Sequence, residues 1–397
     1  MIVIADDITG AAEIAGIAFS RGGEVRLVCG AVGCDHIAAQ GTVVIATDTR
    51  SMSEAEAVAE TRRIASAISH QPSGTNRQPS VLFKKTDSAL RGHVVAELRA
   101  LMETTGYQRA VYLPANPSKG RIIRNGVYYI KEVRGERSEV RDVPLDETDF
   151  SFDPEFPAKT SLLRERFPDA EAKDIIMPDA EREEDIRRVI AEYNDGKTLF
   201  AGAADLFSAM LDANHTNHRN DSPDLHRFAA YQQNRPHDSQ KHPRDFHDSL
   251  ILCGSTQSKA LELGIPVSAM PREVYDGEQG ADYWLSQLPS SIFHRPSSII
   301  LAIPHTHRTG KEVAVYLRTI MAEMAKRLVG RHRPEQLMIE GGATAWATLQ
   351  ALGWTQFTIE RQIAPGVVQM RATSGTLVTL KPGSYPWGSM FKSWQFL

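Results

Sequence analysis

Short, unbroken apolar runs recur along the first two hundred residues, and most of them end in polar side chains followed by apolar residues at helical spacing. Residues 2–5 (IVIA) run into Asp6-Asp7-Ile8-Thr9-Gly10 and then an apolar helix pattern over 12–19. Residues 25–29, 43–47, 81–83, 110–113, 175–177 and 198–202 read as further strands, with helices expected over about 54–68, from His93, and over 183–193. Ser53 and Glu56 form a capping box for the helix over 54–68. Residues 126–153 read as a β excursion with a long ordered loop. Gly196-Lys197-Thr198 lacks the first glycine of a P-loop, because position 191 is Ala, so Gly196 reads as a helix C-cap.

The pattern breaks over 211–248, where Asn, His, Asp, Pro, Gln and Arg dominate and the histidines have no repeating spacing. That composition predicts a solvated linker between a first domain over 1–210 and a second over 249–397. In the second, residues 250–253 and 298–303 read as strands, with a helix expected from Lys259. A long helix over about 311–328 leads to a strand at 336–340. Four glycine-bearing turns punctuate this half: Gly254-Ser255-Thr256-Gln257-Ser258, Gly341-Gly342-Ala343-Thr344, Pro365-Gly366, and Lys381-Pro382-Gly383 continuing to Gly388. Backbone amides at such turns and helix starts can hold phosphate. The GxGxxG fingerprint is absent, which argues against a dinucleotide-binding dehydrogenase. The alternation predicts two α/β domains with mainly parallel sheets.

Totals add exclusions. With 45 basic and 49 acidic residues, the net charge of -4 gives no broad reason to bind nucleic acid or an anionic membrane, so any anion site is local. No apolar run approaches the roughly 18 residues of a membrane span, and the acidic start at Asp6-Asp7 does not read as a signal peptide. Three cysteines without CxxC spacing fit a reducing cytoplasm and argue against a cysteine zinc site. A homo-oligomer is compatible with all of this.

Candidate chemistry concentrates at the strand ends of the first domain. Lys84-Lys85-Thr86-Asp87-Ser88-Ala89-Leu90-Arg91-Gly92 is the densest such junction, joined by Asp6, Asp7 and Thr9, by Asp48-Thr49-Arg50, and by Asn116 and Arg121. An Arg fork suits a carboxylate or phosphate, Lys supplies a point charge, and Asp can accept a proton. Alternation along a strand puts Lys84 and Lys85 on opposite faces, and the sequence does not choose between them.

These motifs, in this order and spacing, resemble the four-carbon acid sugar kinases. The resemblance rests on residues 6–11, 84–92 and 114–121, on Gly254-Ser255, on residues 341–345, on Pro365-Gly366 and on residues 381–383, and so runs along nearly the whole chain. It departs at three turns, where Thr256 and Gln257 follow Ser255, Ala343 follows Gly342, and Pro386 and Trp387 precede Gly388. The resemblance implies ATP-dependent phosphorylation of a hydroxyl on threonate, erythronate or an oxo-tetronate, the acid bound by the N-terminal domain and ATP by the C-terminal one, with an interdomain active-site cleft between two α/β domains. It places Asp7, Lys84, Asp87, Ser88 and Arg91 at acceptor positions, and Ser255, Gly342, Thr344, Gly366 and Gly383 at nucleotide positions. On that basis Arg91 is expected to grip the acid's carboxylate, Lys84 or Lys85 to balance the moving phosphoryl group, Asp87 or Asp7 to take the hydroxyl proton, and Mg²⁺ to bridge the ATP phosphates. Asp6, Thr9, Asn116 and Arg121 complete the expected acceptor set, and Gly254, Ser258, Gly341, Pro365 and Gly388 the nucleotide set. The alternative is a nonenzymatic nucleotide or metabolite sensor on the same scaffold.

Overall fold

The computed structural model describes residues 1–30, 41–69, 82–134, 139–153, 156–218, 248–254, 265–293, 298–304, 310–383, 385 and 387. Ser255, Ser258, Gly388, the helix expected from Lys259 and residues 219–247 of the polar tract lie outside them. The strands of the first half are β1 (Ile2–Ala5), β2 (Val25–Cys29), β3 (Thr42–Ala46), β4 (Leu82–Lys85), β5 (Arg109–Leu113), β6 (Arg121–Arg124), β7 (Val127–Arg134), β8 (Glu139–Pro144), β9 (Ile175–Ile176) and β10 (Thr198–Gly202). Those of the second half are β11 (Ser249–Cys253), β12 (Val267–Ala269), β13 (Ile299–Ala302), β14 (Gln336–Glu340), β15 (Gln356–Ala364), β16 (Val367–Ala372) and β17 (Leu377–Lys381). The helices that matter most here are α1 (Ile8–Ser20), α2 (Glu54–Ser69) and α3 (Val94–Thr105).

The chain forms two compact units, one of Met1–Ile14 with Gly30–Ser222, the other of Ala15–Cys29 with Pro223–Leu397. In the first unit β3, β1, β4, β10, β5 and β9 lie side by side in that order, all parallel. Parallel strands covered on both faces read as continuous apolar runs, and every residue of β1 and β10 is buried. Phe83 of β4 and Phe207 meet at 5.2 Å between ring centroids, filling one face. The excursion after β5 is a separate antiparallel sheet, β6-β7-β8.

The second unit carries β12-β13-β11-β14-β17, all parallel, followed by β16, β15 and β2, each antiparallel to its neighbour. Residues 15–29, placed by the sequence with the first domain, group here for two reasons. β2 pairs with β15, Leu27 opposite Phe357, and Gly16 lies so near Val368 that a Cβ on it would come within 2.8 Å.

Other differences are local. β4 continues past Phe83 through both lysines, which are buried and paired. A helix over Ala204–His218 crosses position 211, where the linker was expected to begin, because Leu206, Phe207, Met210 and Leu211 bury one of its faces. The helix Glu183–Tyr193 ends with Asn194 as its C-cap, so Gly196, at φ 75°, serves the turn into β10 instead. The capping box forms as expected, Ser53 N–H donating to Glu56 Oε2 at 2.9 Å. Among the described residues no helix is long and apolar enough to cross a membrane.

Candidate functional site

Because β3, β1 and β4 are adjacent and parallel, the segments leaving their carboxyl ends converge. Asp7 caps α1: its Oδ1 accepts from Gly10 N–H at 2.9 Å and its Oδ2 from the Thr9 hydroxyl at 2.5 Å. Thr9 is therefore the partner of the cap and not the cap. Gly10 is required, since a Cβ there would stand 2.6 Å from Asp7 Oδ1 and 3.4 Å from Lys85 Nζ.

At the centre is Arg50, which lies within the polar stretch after β3 but is absent from the expected site set. Asp48, in the left-handed region at φ 55°, turns the chain into the short helix Thr49–Ser51, and Arg50 N–H donates to the Asp6 carbonyl at 3.3 Å. Its guanidinium takes both Asp6 oxygens, Nε to Oδ2 at 3.0 Å and Nη2 to Oδ1 at 2.9 Å. Nη2 also reaches Asp7 Oδ1 at 3.1 Å, and Nη1 lies 3.6 Å from Asp87 Oδ1. Two consecutive acids, one buried and one half-buried, require a cation; Arg50 is the basic residue that the next strand end supplies.

Asp87 is saturated. Oδ2 accepts from Ala89 N–H at 2.9 Å, Arg91 N–H at 3.3 Å and Arg91 Nε at 2.9 Å, and Oδ1 from Arg91 Nη2 at 2.9 Å. Arg91 Nη1 then donates to Asp153 at 3.2 Å. Leu90, buried at φ 63°, and Gly92, at φ 95°, bend this loop, a left-handed pair of turns in which only the glycine is at ease. The excursion folds over the same loop. Tyr128 hydroxyl donates to the Ser88 carbonyl, Arg121 Nη1 donates to Ser88 Oγ, and the Phe150 ring lies 5.7 Å from the Arg91 guanidinium and 5.5 Å from that of Arg121.

The two lysines separate. Lys84 is buried and its Nζ donates to Glu97 Oε2 of α3 at 2.5 Å, while that oxygen also accepts from Thr49 at 2.9 Å and Thr61 at 3.3 Å. Lys84, expected at the reacting centre, is thus spent inside the sheet–helix layer. Lys85 turns to the α1 side, donating to the Thr86 carbonyl at 2.8 Å and standing 3.7 Å from Glu13, which Lys119 also pairs. Asn116 is likewise committed: buried, its Oδ1 accepts from Asp205 N–H at 3.0 Å at the start of the helix Ala204–His218.

Burial dominates the electrostatics of the three aspartates, and their partners decide the outcome. Burial holds Asp6 above the ordinary carboxylate value even against Arg50. For Asp7 burial pushes upward, but Arg50, the Thr9 hydroxyl and Lys85 outweigh it and the group ends below that value. For Asp87 the same upward push is overwhelmed by Arg91 and Arg50, which hold it well below.

In the second unit, four turns meet. Gly254 leaves β11 against Thr344, whose Oγ1 would stand 2.0 Å from a Cβ on that glycine. Gly341 N–H donates to the Lys381 carbonyl at 2.9 Å and opens the helix Gly342–Leu352, whose first N–H groups have no partner within the helix. Pro365-Gly366 closes the β15–β16 hairpin, with Gly366 at φ 76° packed on Tyr385. Lys381 is buried beside Glu340, 2.8 Å away, and donates to the carbonyls of Pro382 (2.9 Å), Gly383 (3.1 Å) and Tyr385 (2.7 Å). Trp387 covers it at 5.5 Å, over a small apolar cluster containing Ile251, Ile300, Met338 and Val367. No group of three or more His, Cys, Asp or Glu among the described residues could hold a metal ion.

Comparison with known proteins supports this division. Residues 1–169 match a family described as a sugar-binding N-terminal domain, and residues 298–385 one described as a nucleotide-binding C-terminal domain. The chain is 30% identical to a D-threonate kinase of Salmonella typhimurium over 42% of its own length and 35% of that protein's, so the match spans about a third of that relative. It is 25% identical to a 3-oxo-tetronate kinase of Brucella melitensis, covering 96% of this chain and 92% of the other. A solved structure from Salmonella typhimurium LT2 has the same fold, with a TM-score of 0.70 at 19% identity over 100% of this chain and 98% of that one. The class is a protein that joins a sugar-binding domain to a nucleotide-binding one. More narrowly, the chain belongs to the four-carbon acid sugar kinase family.

Proposed function

We propose that this protein is an ATP-dependent kinase that phosphorylates a hydroxyl of a four-carbon sugar acid of the threonate, erythronate or 3-oxo-tetronate kind, the acid held in the first unit and ATP in the second. The observation that carries this reading is the unequal occupancy of the aspartates. Both oxygens of Asp87 and both of Asp6 accept from a guanidinium, whereas Asp7 Oδ2 accepts only from the neutral Thr9 hydroxyl. Asp7 is therefore assigned the acceptor's hydroxyl proton, in place of Asp87. Arg50 keeps Asp7 ionised and fixed, and Lys85, next to Gly10 on the same side, is assigned the charge of the moving phosphoryl group.

Phosphoryl transfer asks mainly for alignment and charge neutralisation, which a rigid ion-pair cluster supplies. The turns at Gly254, Gly341 to Thr344, Gly366 and Gly383 are assigned to ATP, the first-turn amides of the helix Gly342–Leu352 suiting phosphate oxygens. Mg²⁺ in such sites is carried largely by the nucleotide's phosphates and water. The test is release of ADP, by a coupled assay with Mg²⁺, across a panel of four-carbon acids. Turnover that depends on one acid is expected. ATP binding with no turnover on any acid would favour the sensor reading instead.

A further inference from the structure

We infer that Arg121, with the Ser88 hydroxyl, is the seat of the acceptor's carboxylate, and that Arg91 is not. The inference rests on the sugar-acid reading above and names the group within it that distinguishes an acid from a neutral sugar. Three guanidinium groups surround the loop after β4, and they differ in what remains to them. Arg50 is committed to Asp6 and Asp7, with Asp87 close by. Arg91 closes a two-pronged pair on Asp87 and spends Nη1 on Asp153. A ligand carboxylate could take Arg91 only by displacing a carboxylate already in place.

Arg121 has no carboxylate partner among the described residues. Its Nη1 donates to a neutral hydroxyl, Ser88 Oγ, its side chain also meets the neutral hydroxyl of Tyr128, and its flat face lies on Phe150 at 5.5 Å. None of these partners is an anion, so the charge of the fork is left for a planar one, which Arg binds best in its two-pronged geometry. Because Ser88 Oγ accepts from Arg121, its own O–H proton is left to donate to the same anion. The seat is rigid. Arg121 exchanges backbone hydrogen bonds with Asn116, at 2.8 and 3.1 Å, and Asn116 is pinned to Asp205. Gly120, at φ 67°, makes the close turn that a Cβ would block, 2.9 Å from Lys131 Cβ. Phe150, shared by Arg91 and Arg121, fixes the spacing of the two guanidinium groups, so the neutralised one leaves the other to the ligand.

The experiment titrates D-threonate, D-erythronate and their uncharged primary amides calorimetrically into the full chain, and measures kcat and KM for any acid that turns over. For wild type, acid over amide is expected by about 10²-fold, the worth of a two-pronged charged contact. Arg121→Gln is expected to weaken acid binding by about 10²-fold, to act on KM far more than kcat, and to leave amide binding unchanged, so that the preference collapses. Ser88→Ala, which removes one donor, is expected to move in the same direction by about tenfold and covers the case that Arg121→Gln misfolds. Equal losses for acid and amide, or collapse of the preference in Arg91→Gln with Arg121→Gln unaffected, would overturn the assignment. Wild type that binds acids through Arg121 but phosphorylates none sinks the kinase reading and leaves the seat standing. Wild type that binds no four-carbon acid sinks the seat.

Discussion

The two units bury charge in opposite ways. In the second, Glu340 and Lys381 form a closed set: the ammonium has one carboxylate and three backbone carbonyls around it, and its work is to hold the turn Pro382 to Tyr385 in shape. In the first, Asp6, Asp7 and Asp87 share Arg50, and the set stays open at Asp7 Oδ2, at Lys85 and at Arg121. Burial of a charged side chain therefore says little about function by itself. Hydrogen-bonding capacity that a ligand can reach does, and the first unit contains both kinds, since Lys84 is fully buried against Glu97, whose Oε2 also accepts from Thr49 and Thr61.

The largest effect expected from this contrast is on turnover. Asp7→Asn keeps a residue that caps helices well, so α1 should form. It removes the proton acceptor, and kcat is expected to fall by about 10³-fold, or about 4 kcal/mol of barrier, with ATP affinity unchanged. Retention of full turnover in Asp7→Asn, with Asp87→Asn inactive and folded, would restore Asp87 as the base.

Next in size is stability. Lys84→Met leaves Glu97 buried without its cation and is expected to cost about 3 kcal/mol in urea unfolding of the first unit, whereas Lys84→Met with Glu97→Gln should recover much of that loss. Lys381→Met should cost a similar amount and also raise KM for ATP, because the turn it shapes belongs to the proposed nucleotide set. If Lys84→Met abolished turnover while leaving stability unchanged, the division between closed and open sets would fail.

Much of this was visible in the residues. Strand ends loaded with Asp6-Asp7 and with residues 84–92 announced the site, because a parallel sheet must bring such ends together. The period-two rule for strands divided Lys84 from Lys85 but could not say which faced α1. Arg50 was hidden for a physical reason: its role depends on the adjacency of β3 to β1, which no local pattern encodes, and on a left-handed turn at Asp48. The commitment of Arg91 was hidden too, since an Arg four residues from an Asp reads equally as a ligand fork or as an internal pair. In the second unit the strands β15 and β16 went unread beside their Pro365-Gly366 turn, and residues 15–29 were assigned by position along the chain, whereas β2 pairs with β15, more than three hundred residues away.

The smallest expected effect is on the pH dependence of stability, and its sign differs between neighbouring acids. Asp87 is held well below its ordinary value in the fold, so it contributes stability that is fully present above the unfolded value, near 4, and is lost as pH falls through the folded one. Asp6 is held above its ordinary value. Its folded form takes up a proton before the unfolded chain does, so acidification through that window adds stability and partly offsets the loss at Asp87. Urea midpoints of the first unit measured from about pH 5.5 to about pH 3 are therefore expected to fall less steeply in Asp87→Asn than in wild type, and more steeply in Asp6→Asn. The comparison uses slopes, so the fixed cost of disturbing Arg50 or Arg91 cancels. Slopes that shift in the same direction in both variants would mean that Arg50 holds the two carboxylates alike, and the distinction between Asp6, held by Arg50, and Asp87, held by Arg91 and backbone N–H groups, would be lost.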